Sequence, residues 1–494
     1  MELFFDGHNE KYAVEQIMLM LFPAERPVYP ARPGGALRAQ VNLREGGAWL
    51  TATTRITAPD GRSAFGTARA RRSDMTAPLI AQRLRQRALK MSFYRASVRF
   101  HGEKPVWGAL SGIRPALLLR RLMDEGLNDA AAKDRFTALY DVQPERAALC
   151  LDAARAAKAV ERTLSRGDVC LYFGVPFCPT RCAYCSFVSQ SVEKSMALIP
   201  DFVEAARRDI AATAAQVRGN GLRVVAVYFG GGTPTTLSAA QLDTVLCTLE
   251  REFDLSGCRE FTVEAGRPDT ITREKLETLR AHGVTRVSVN PQTMSDRVLE
   301  AIGRRHTAAD VLRALDTVRA VGGFQVNMDL IAGLPEDDAA GFERTLRTVL
   351  SLGTENITVH TLALKKGSRI LLEGTRLPGA PEVGQMLDTA ARLLRGADLR
   401  PYYLYRQKFM SGGFENVGWC RPGTENIYNI CIMEELCTIL SMGAGASTKL
   451  VGANGRIERL FAPKYPREYI DGIEKVCADK QRVTAFYQSE GEDR

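Results

Sequence analysis

The sequence predicts an α/β protein built around an open, partial (β/α)6 barrel, with an α+β accessory domain before it and an α/β cap after it. Six short apolar segments between residues 169 and 360 alternate with amphipathic helical segments, which is the pattern of parallel β/α architecture. Six such units fall short of the eight of a closed barrel, so the sheet should stay open. The expected domains are residues 1–165, 166–384 and 385–494.

The accessory domain at residues 1–165 carries no catalytic signature. Between Ala70 and Arg99 arginines are dense, but apolar residues recur among them, so a solvated helix face accounts for the charge. Its predicted elements are a strand at Leu3–Phe5, a helix at Glu10–Leu21, a hairpin of Leu37–Leu43 with Trp49–Ile56, and helices over Ala116–Glu125 and Asp129–Arg162.

The central domain supplies the six strands and the helices between them. Ser238 and Gln241 form a capping box before the second helix, and Thr307 is the expected N-cap of the fourth. Ligands of such sheets bind beyond the carboxyl ends of the strands, so the functional site is expected there. The predicted strands are Val169–Val175, Val224–Phe229, Glu260–Glu264, Arg286–Asn290, Gln325–Leu330 and Asn356–His360, and the predicted helices cover about 201–218, 239–253, 272–281, 308–321 and 338–352.

The cap at residues 385–494 is expected to contain both helices and strands. Gln385–Ala397 is predicted as a helix, Tyr402–Tyr405 as a strand, and Glu434–Leu440 as a helix that leads into a glycine-rich turn. Cys420, Cys431 and Cys437 lack the spacing of a metal-binding loop and are expected to be buried thiols.

Composition and charge narrow the class of protein. The 494 residues carry a formal net charge of +9, which could attract nucleic acid, an anionic membrane surface or a polycarboxylate ligand. No basic, apolar signal segment begins the chain, and the uncharged run Leu436–Thr448 is shorter than a membrane helix needs. The eleven cysteines show no paired framework outside one central loop. A cytoplasmic protein with reduced thiols is therefore expected.

That central loop carries Cys178, Cys182 and Cys185 at the spacing C-x3-C-x2-C. Three thiolates on one loop could bind a [4Fe–4S] cluster and leave its fourth iron open to a small molecule. Zinc would need further cysteine or histidine ligands, and the sequence has no histidine between His101 and His282. A disulfide would leave one thiol of the loop unpaired. The loop alone leaves these alternatives open, and the residues that follow it in the chain favour the cluster.

Residues that can bind a ligand follow the next four predicted strands. Three glycines, Gly230–Gly232, follow the second strand and would let backbone approach a ligand closely. A carboxylate at a strand end, Glu264, can accept hydrogen bonds from both hydroxyl groups of a ribose. Each residue alone is more typical of a capping or surface position, but together they place donors and acceptors around one mouth. The others are Gln292 after the fourth strand, Arg304 in the segment that follows, and Asp329 at the fifth.

With these motifs the chain resembles the radical S-adenosylmethionine enzymes, and within them the oxygen-independent coproporphyrinogen III oxidases (coproporphyrinogen dehydrogenases), most closely their HemZ-type branch. The resemblance covers about residues 100 to 470. Its motifs include Gly174-Val-Pro-Phe-Cys-Pro-Thr-Arg-Cys-Ala-Tyr-Cys-Ser-Phe187, Gly231-Gly-Thr-Pro-Thr235, Glu264-Ala-Gly-Arg-Pro-Asp269 and Met442-Gly-Ala-Gly-Ala446.

The resemblance implies a role for each of thirteen residues. It makes Cys178, Cys182 and Cys185 the ligands of a [4Fe–4S] cluster, and it suggests catalysis by Tyr172, six residues before the first of them. The remaining residues would bind S-adenosylmethionine through its adenine, ribose, amino and carboxylate groups. They are Tyr184, Gly231, Gly232, Thr233, Glu264, Gln292, Arg304, Asp329 and Ala363.

The reaction that the resemblance implies is the oxidative decarboxylation of two propionates of coproporphyrinogen III to vinyl groups, which gives protoporphyrinogen IX. A tetrapyrrole substrate and external electron donor and acceptor are then the partners, and no membrane partner is expected. Two departures concern the substrate: Gly174 replaces a histidine of the best-characterised oxidases, and Phe187 replaces a fourth cysteine. Candidate cations for the substrate carboxylates are Lys365, Lys366, Arg406 and Lys408, and the alternative is that they are solvated surface charges.

Two alternatives stay open at this point. The first is a heme-binding or trafficking protein that keeps the cluster without turning over porphyrinogen; related heme chaperones carry a His-Asn pair, whereas this chain has Glu425-Asn-Ile-Tyr-Asn429. The second is a radical enzyme that modifies RNA, suggested by the arginine-rich first domain. No RNA-binding motif supports it, and basic charge alone gives salt-dependent, non-specific binding.

Overall fold

The computed structural model describes residues 1–185, 190–191, 195–363, 370, 376–407 and 411–492. The chain divides into two compact units, Met1–Cys150 and Leu151–Arg494. The three-domain division at residues 165 and 384 stays a prediction. Among the described residues, none of the helices combines the length and the hydrophobicity that a bilayer crossing requires.

The first unit contains a four-stranded sheet in the order β1-β2-β3-β4, in which β1 is parallel to β2 and the other pairs are antiparallel. The predicted hairpin is confirmed as β2 and β3, but the third antiparallel strand, β4, was not predicted. Helices α1 and α2 contribute to the core of this unit with the inward faces of the strands. The elements are β1 (Glu2–Asp6), α1 (Lys11–Leu21), β2 (Arg38–Glu45), β3 (Trp49–Thr57), β4 (Ser63–Arg71), α2 (Pro78–His101), α3 (Pro115–Asp124), α4 (Asp129–Tyr140) and α5 (Pro144–Glu161), the last of which continues into the second unit.

The second unit is built on a single large sheet. Its strands are β5 (Asp168–Val175), β8 (Arg223–Gly231), β9 (Glu260–Glu264), β10 (Arg286–Ser288), β11 (Gln325–Ala332), β12 (Asn356–Thr361), β13 (Arg400–Arg406), β14 (Glu415–Cys420), β15 (Thr438–Gly443), β16 (Ser447–Val451) and β17 (Ile457–Phe461); the short strands β6 (Phe177–Cys178) and β7 (Gln190–Ser191) pair separately. Its helices are α6 (Ile199–Gly219), α7 (Ala239–Glu252), α8 (Arg273–Ala281), α9 (Asp296–Ala301), α10 (Ala308–Val321), α11 (Ala339–Ser351), α12 (Ala380–Gly396), α13 (Ile427–Glu434), α14 (Pro466–Asp471), α15 (Ile473–Asp479) and α16 (Gln481–Glu492).

The eleven strands stand in the order β13-β14-β12-β11-β10-β9-β8-β5-β15-β16-β17. The six predicted strands, β5 and β8–β12, are therefore neighbours in chain order, and every pair among them is parallel. This confirms the α/β class and the series of six β/α units. Because parallel strands all point the same way, the residues after each of them meet at one edge of the sheet.

Local sequence explains these elements. Strands such as β8 are apolar on both faces, as expected for a parallel strand covered on both sides, and Val224–Val227 are all buried. Both predicted N-caps are confirmed: Ser238 and Gln241 form a capping box at α7, and Thr307 forms one with Asp310 at α10. These caps satisfy backbone N–H groups that the first turn of a helix leaves unpaired.

The prediction of a helix over Glu434–Leu440 was wrong. Helix α13 ends at Glu434, the next residue adopts a left-handed φ of 57°, and β15 begins at Thr438. Strand β15 lies parallel to β5, and β14 lies antiparallel to β12. The C-terminal strands therefore extend the central sheet on both sides, so strands before and after residue 384 belong to one sheet.

Candidate active site

A cavity of about 400 Å³ lies at the carboxyl ends of the parallel strands in the second unit. Polar and aromatic side chains converge on it from six successive strand ends and from β13 and α13. All thirteen residues for which a cofactor, metal or catalytic role is predicted line this cavity: Tyr172, Cys178, Cys182, Tyr184, Cys185, Gly231, Gly232, Thr233, Glu264, Gln292, Arg304, Asp329 and Ala363. Their individual roles stay predictions.

The cysteine loop follows β5 and presents three half-buried thiols to the cavity. A tight turn, in which the N–H of Cys185 donates to the carbonyl of Cys182 at 3.1 Å, brings two of them together. The third thiol, Cys178, lies 3.5 Å from the hydroxyl of Thr233. Three partly exposed sulfur donors on one loop fit a cubane that keeps one iron for another ligand.

The glycine loop after β8 packs directly on the cysteine loop. The N–H groups of Gly232 and Thr233 donate to the carbonyls of Val175 and Phe177 at 2.7 and 2.8 Å. A Cβ at position 232 would lie 2.4 Å from the Phe177 oxygen, so this approach requires glycine. A ligand ammonium can only donate hydrogen bonds, so it would bind to carbonyl oxygens of this loop and not to its N–H groups.

Glu264 ends β9 inside the cavity and accepts a hydrogen bond of 2.6 Å from the hydroxyl of Tyr228. Burial raises the pKa of this carboxyl to about 7, and the nearby Asp329 adds to the rise, whereas Tyr228 and His360 oppose it. The group is therefore poised between its neutral and ionised forms near neutral pH. Hydroxyl donors from a ligand would favour the ionised form.

Gln292 occupies an unusual backbone conformation, with a φ of 67° in the left-handed region. Its N–H donates to the carbonyl of Asp329 at 2.9 Å, and its own carbonyl accepts from Ile331 at 3.0 Å, so neighbouring strand backbone holds it there. The side-chain oxygen Oε1 is buried and has no hydrogen-bond partner among the described residues. Gln292 lines the cavity, and its left-handed backbone and unpaired buried acceptor make it a candidate for contact with a ligand.

Arg304 is buried, and its guanidinium spans three elements of the site. Nη1 donates to the carbonyls of Gly266 and Asn290, each at 3.3 Å, and Nη2 donates to the hydroxyl of Tyr184 at 3.1 Å. The ring of Tyr184 packs against an apolar cluster that includes Ile331. The guanidinium is thus fixed at the cavity wall, where it could meet an anionic group of a ligand.

Asp329 and His360, from β11 and β12, form a pair that also lines the cavity. Asp329 Oδ1 accepts from Asn327 Nδ2 at 2.8 Å, and Oδ2 lies 3.7 Å from His360 Nε2. Burial by itself would raise the pKa of Asp329, but these neighbours outweigh it and hold the pKa below the ordinary value. This side chain is therefore an ionised acceptor at neutral pH.

Tyr172 belongs to a stack of three tyrosines that the sequence analysis did not foresee. Its ring lies 6.3 Å from Tyr228 and 5.9 Å from Tyr428, and the latter two rings are 4.4 Å apart, all near parallel. Burial raises the pKa of Tyr172, and the charge of Glu264 adds to the effect. Tyr428 comes from α13, so the C-terminal part of the chain supports the floor of the cavity.

The C-terminal part also forms the remaining wall, which is aromatic and amide-rich. Of the cations predicted to meet a substrate, Arg406 is buried and its Nε and Nη2 donate to the carbonyl of Gly413 at 2.9 and 2.7 Å. Lys365, Lys366 and Lys408 lie outside the described residues. The C-terminal wall consists of Tyr403, Tyr405, Gln407, Asn416, Asn429 and Met433.

A second group of three cysteines, Cys170, Cys431 and Cys437, meets outside this cavity. Their sulfur atoms all lie within 4.8 Å of one another, and Cys170 and Cys437 are 3.7 Å apart. The group is buried in an apolar cluster, which confirms the prediction that Cys431 and Cys437, like Cys420, are buried thiols. Cubane thiolates sit on separate irons and so stand further apart than these, whereas the half-buried loop thiols have a cavity in front of them.

Comparisons with known proteins agree with this geometry. Residues 172–349 match the model of the radical SAM superfamily. The chain is 37% identical to the oxygen-independent coproporphyrinogen-III oxidase-like protein HemZ of Bacillus subtilis over 380 residues, which is 76% of each chain. It is 30% identical to the heme chaperone HemW of the same organism over 253 residues, 50% of this chain and 64% of that one.

A solved structure shows the same fold. Coproporphyrinogen III oxidase HemN of Escherichia coli, a radical SAM enzyme, superimposes with a TM-score of 0.52 at 21% identity, over 65% of this chain and 72% of that one. The superfamily implies S-adenosylmethionine and a [4Fe–4S] cluster as cofactors. By its similarity to HemZ over three quarters of both sequences, the chain belongs to the radical SAM superfamily and, within it, to the HemZ-type oxygen-independent coproporphyrinogen III oxidase-like proteins.

Proposed function

We propose that this protein is a radical S-adenosylmethionine oxidoreductase that converts propionate side chains of coproporphyrinogen III into vinyl groups and so forms protoporphyrinogen IX for heme synthesis. The observation that carries the proposal is the convergence of all thirteen predicted residues on one cavity. The relationship to HemZ over 76% of both chains supports the same reaction class.

In this proposal Cys178, Cys182 and Cys185 hold the [4Fe–4S] cluster. The three thiols fit this role because they come from one loop and line the cavity, and because three thiolates would leave the fourth iron open to a small molecule bound there. The buried group around Cys170 suits this role less well, because it is enclosed in an apolar cluster away from the cavity.

The other residues would bind and orient S-adenosylmethionine. Glu264 can accept the ribose hydroxyls, the carbonyls of the glycine loop can accept the ammonium group, and Arg304 faces the carboxylate. Gln292 offers its unsatisfied Oε1 as a further acceptor. When bound between these residues, the reduced cluster and S-adenosylmethionine would supply radical chemistry for removal of a hydrogen atom from the substrate.

The protein's own task is to hold the substrate propionate against that centre and to keep water away. The half-buried ring of Tyr405 offers a flat surface for a pyrrole ring, and the half-buried amide of Asn429 can donate to a carboxylate. Each propionate loses one hydrogen atom, one CO2 and one electron, so an external acceptor must take two electrons for two vinyl groups. An external donor must in turn supply the electrons that reduce the cluster.

A heme-binding or trafficking role is the second candidate. The observation that favours it is the 30% identity to HemW over half of this chain. Such a protein would keep the cluster and bind heme but release no decarboxylated product.

The test is anaerobic reconstitution with iron and sulfide, followed by product analysis with coproporphyrinogen III, S-adenosylmethionine and a chemical reductant. We expect protoporphyrinogen IX with 5′-deoxyadenosine and methionine. Cys182→Ser should form none of these three products, whereas Cys258→Ser should still form them, because Cys258 is a half-buried thiol outside the cavity. Heme binding without any decarboxylated product would instead establish the second candidate.

A further inference from the structure

A buried guanidinium lies directly behind the cysteine loop. Arg267 stands three residues after Glu264, and its side chain is only 4% exposed. Nη2 donates to the hydroxyl of Thr180 at 2.9 Å, and Nη1 donates to the Thr180 carbonyl at 3.3 Å and to Cys182 Sγ at 3.8 Å. Three of its contacts are therefore to the loop that carries the three thiols.

The remaining contacts fix the orientation of this side chain. Asp269 accepts from Nε at 3.2 Å and from Nη2 at 3.3 Å, which gives a bidentate ion pair within one turn of chain. Burial of a guanidinium is costly unless such partners compensate it. Asp269 satisfies one edge of the guanidinium fork and leaves the other edge pointing at Thr180 and Cys182.

Arg304, the other buried arginine at the cavity, also contacts the cysteine loop, through Tyr184 and Cys182. Its guanidinium binds the carbonyls of Gly266 and Asn290 and the hydroxyl of Tyr184, so it braces the wall where S-adenosylmethionine would bind. Arg267 differs from Arg304 in binding the hydroxyl and the carbonyl of Thr180 and in its ion pair with Asp269.

We propose that Arg267 is a positioning residue that fixes the cysteine loop and, by donating N–H to the sulfur of Cys182, raises the reduction potential of the cluster held there. The inference rests on the proposed function, because it requires the cluster on this loop. A cluster gains negative charge on reduction, and N–H donors and a nearby cation stabilise that extra charge. Loss of the guanidinium should therefore make the cluster harder to reduce.

The experiment uses the reconstituted full-length protein and three variants. Arg267→Met removes the charge and the donors, and Arg267→Lys keeps the charge without the planar fork. Arg286→Met is the matched control, because Arg286 is equally buried and paired with Glu260 but does not line the cavity. Iron content and the reduction potential, followed by electron paramagnetic resonance during a redox titration, are the readouts.

We expect Arg267→Met to lower the ratio of reduced to oxidised cluster at a fixed applied potential at least tenfold, which is about 59 mV for a one-electron couple. Arg267→Lys should fall between this variant and the wild type, and Arg286→Met should keep the wild-type potential. An unchanged potential in both Arg267 variants would overturn the inference and leave the proposed function standing. A wild-type protein that takes up no cluster would overturn the proposed function itself.

If Arg267→Met takes up no iron while Arg286→Met does, the result supports the role of Arg267 in fixing the cysteine loop. The reduction potential of Arg267→Lys then tests whether N–H donation to the sulfur raises the potential of the cluster. A potential for Arg267→Lys below that of the wild type supports the donor role, and an equal potential refutes it.

Discussion

The carboxyl group of Glu264 should make the binding of S-adenosylmethionine depend on pH. Burial raises its pKa to about 7, so the folded protein holds this carboxyl largely protonated in mild acid and ionised above neutrality. Ribose hydroxyls donate to the ionised form, so binding requires that the proton leave. Between about pH 8 and about pH 6 the ionised fraction falls from about 0.9 to about 0.1, and the affinity should fall about tenfold.

Isothermal titration calorimetry of the reconstituted protein with S-adenosylmethionine measures this dependence. The amino group of the ligand also titrates near this range, but it does so for every variant alike. Glu264→Gln should remove the tenfold component, and Tyr228→Phe should move its midpoint to higher pH, because the Tyr228 hydroxyl lowers the pKa of Glu264. An identical pH profile for wild type and Glu264→Gln would refute the assignment of this carboxyl to the ribose.

Two further predictions concern the loops. Cys182→Ser should abolish the broad visible absorbance and the iron content of the reconstituted protein, whereas Cys431→Ser should keep both. The reason is that Cys182 lines the cavity and Cys431 is buried in an apolar cluster; the reverse result would assign the cluster to the buried cysteines. Gly232→Ala should lower the free energy of unfolding by about 1–3 kcal/mol, because its Cβ would meet the Phe177 carbonyl at 2.4 Å, and urea denaturation measures the loss. Gly396→Ala is the control, since a Cβ there would meet no atom within 4 Å, and equal stability of the two variants would contradict the packing argument.

The parallel part of the fold could be predicted from the sequence because its signal is local. Each of the six parallel strands is a short apolar run next to an amphipathic helix. N-cap residues such as Ser238 and Thr307 indicate where the helices begin. The segment after Glu434 could not be predicted in this way. Its apolar residues are compatible with a helix or a strand. The segment forms a strand because it pairs with β5, which lies more than 260 residues earlier in the chain.

The candidate site likewise contains some residues that local motifs predict and others that only the structure places there. Residues in recognisable motifs, such as Cys182 and Glu264, could be assigned from spacing and resemblance. Arg267 lies within the motif Glu264–Asp269, but an arginine in a turn is normally a surface residue, and only the structure places it against Thr180. Tyr428 lies in the segment Glu425–Asn429, but nothing in that segment predicts that its ring stacks on Tyr172, which is more than 250 residues earlier in the chain.

The pairing of β15 with β5 has a consequence for the order in which this protein can mature. The strand that leads into the cysteine loop has β8 on one side and β15 on the other, and β15 ends at Gly443. Until the ribosome has made that residue, the nascent chain leaves one side of β5 without its partner, which is a template for unwanted strand association. Insertion of an oxygen-sensitive cluster into a finished site must therefore wait until most of the polypeptide has been synthesised, and chains shortened before β15 should aggregate instead of accepting iron.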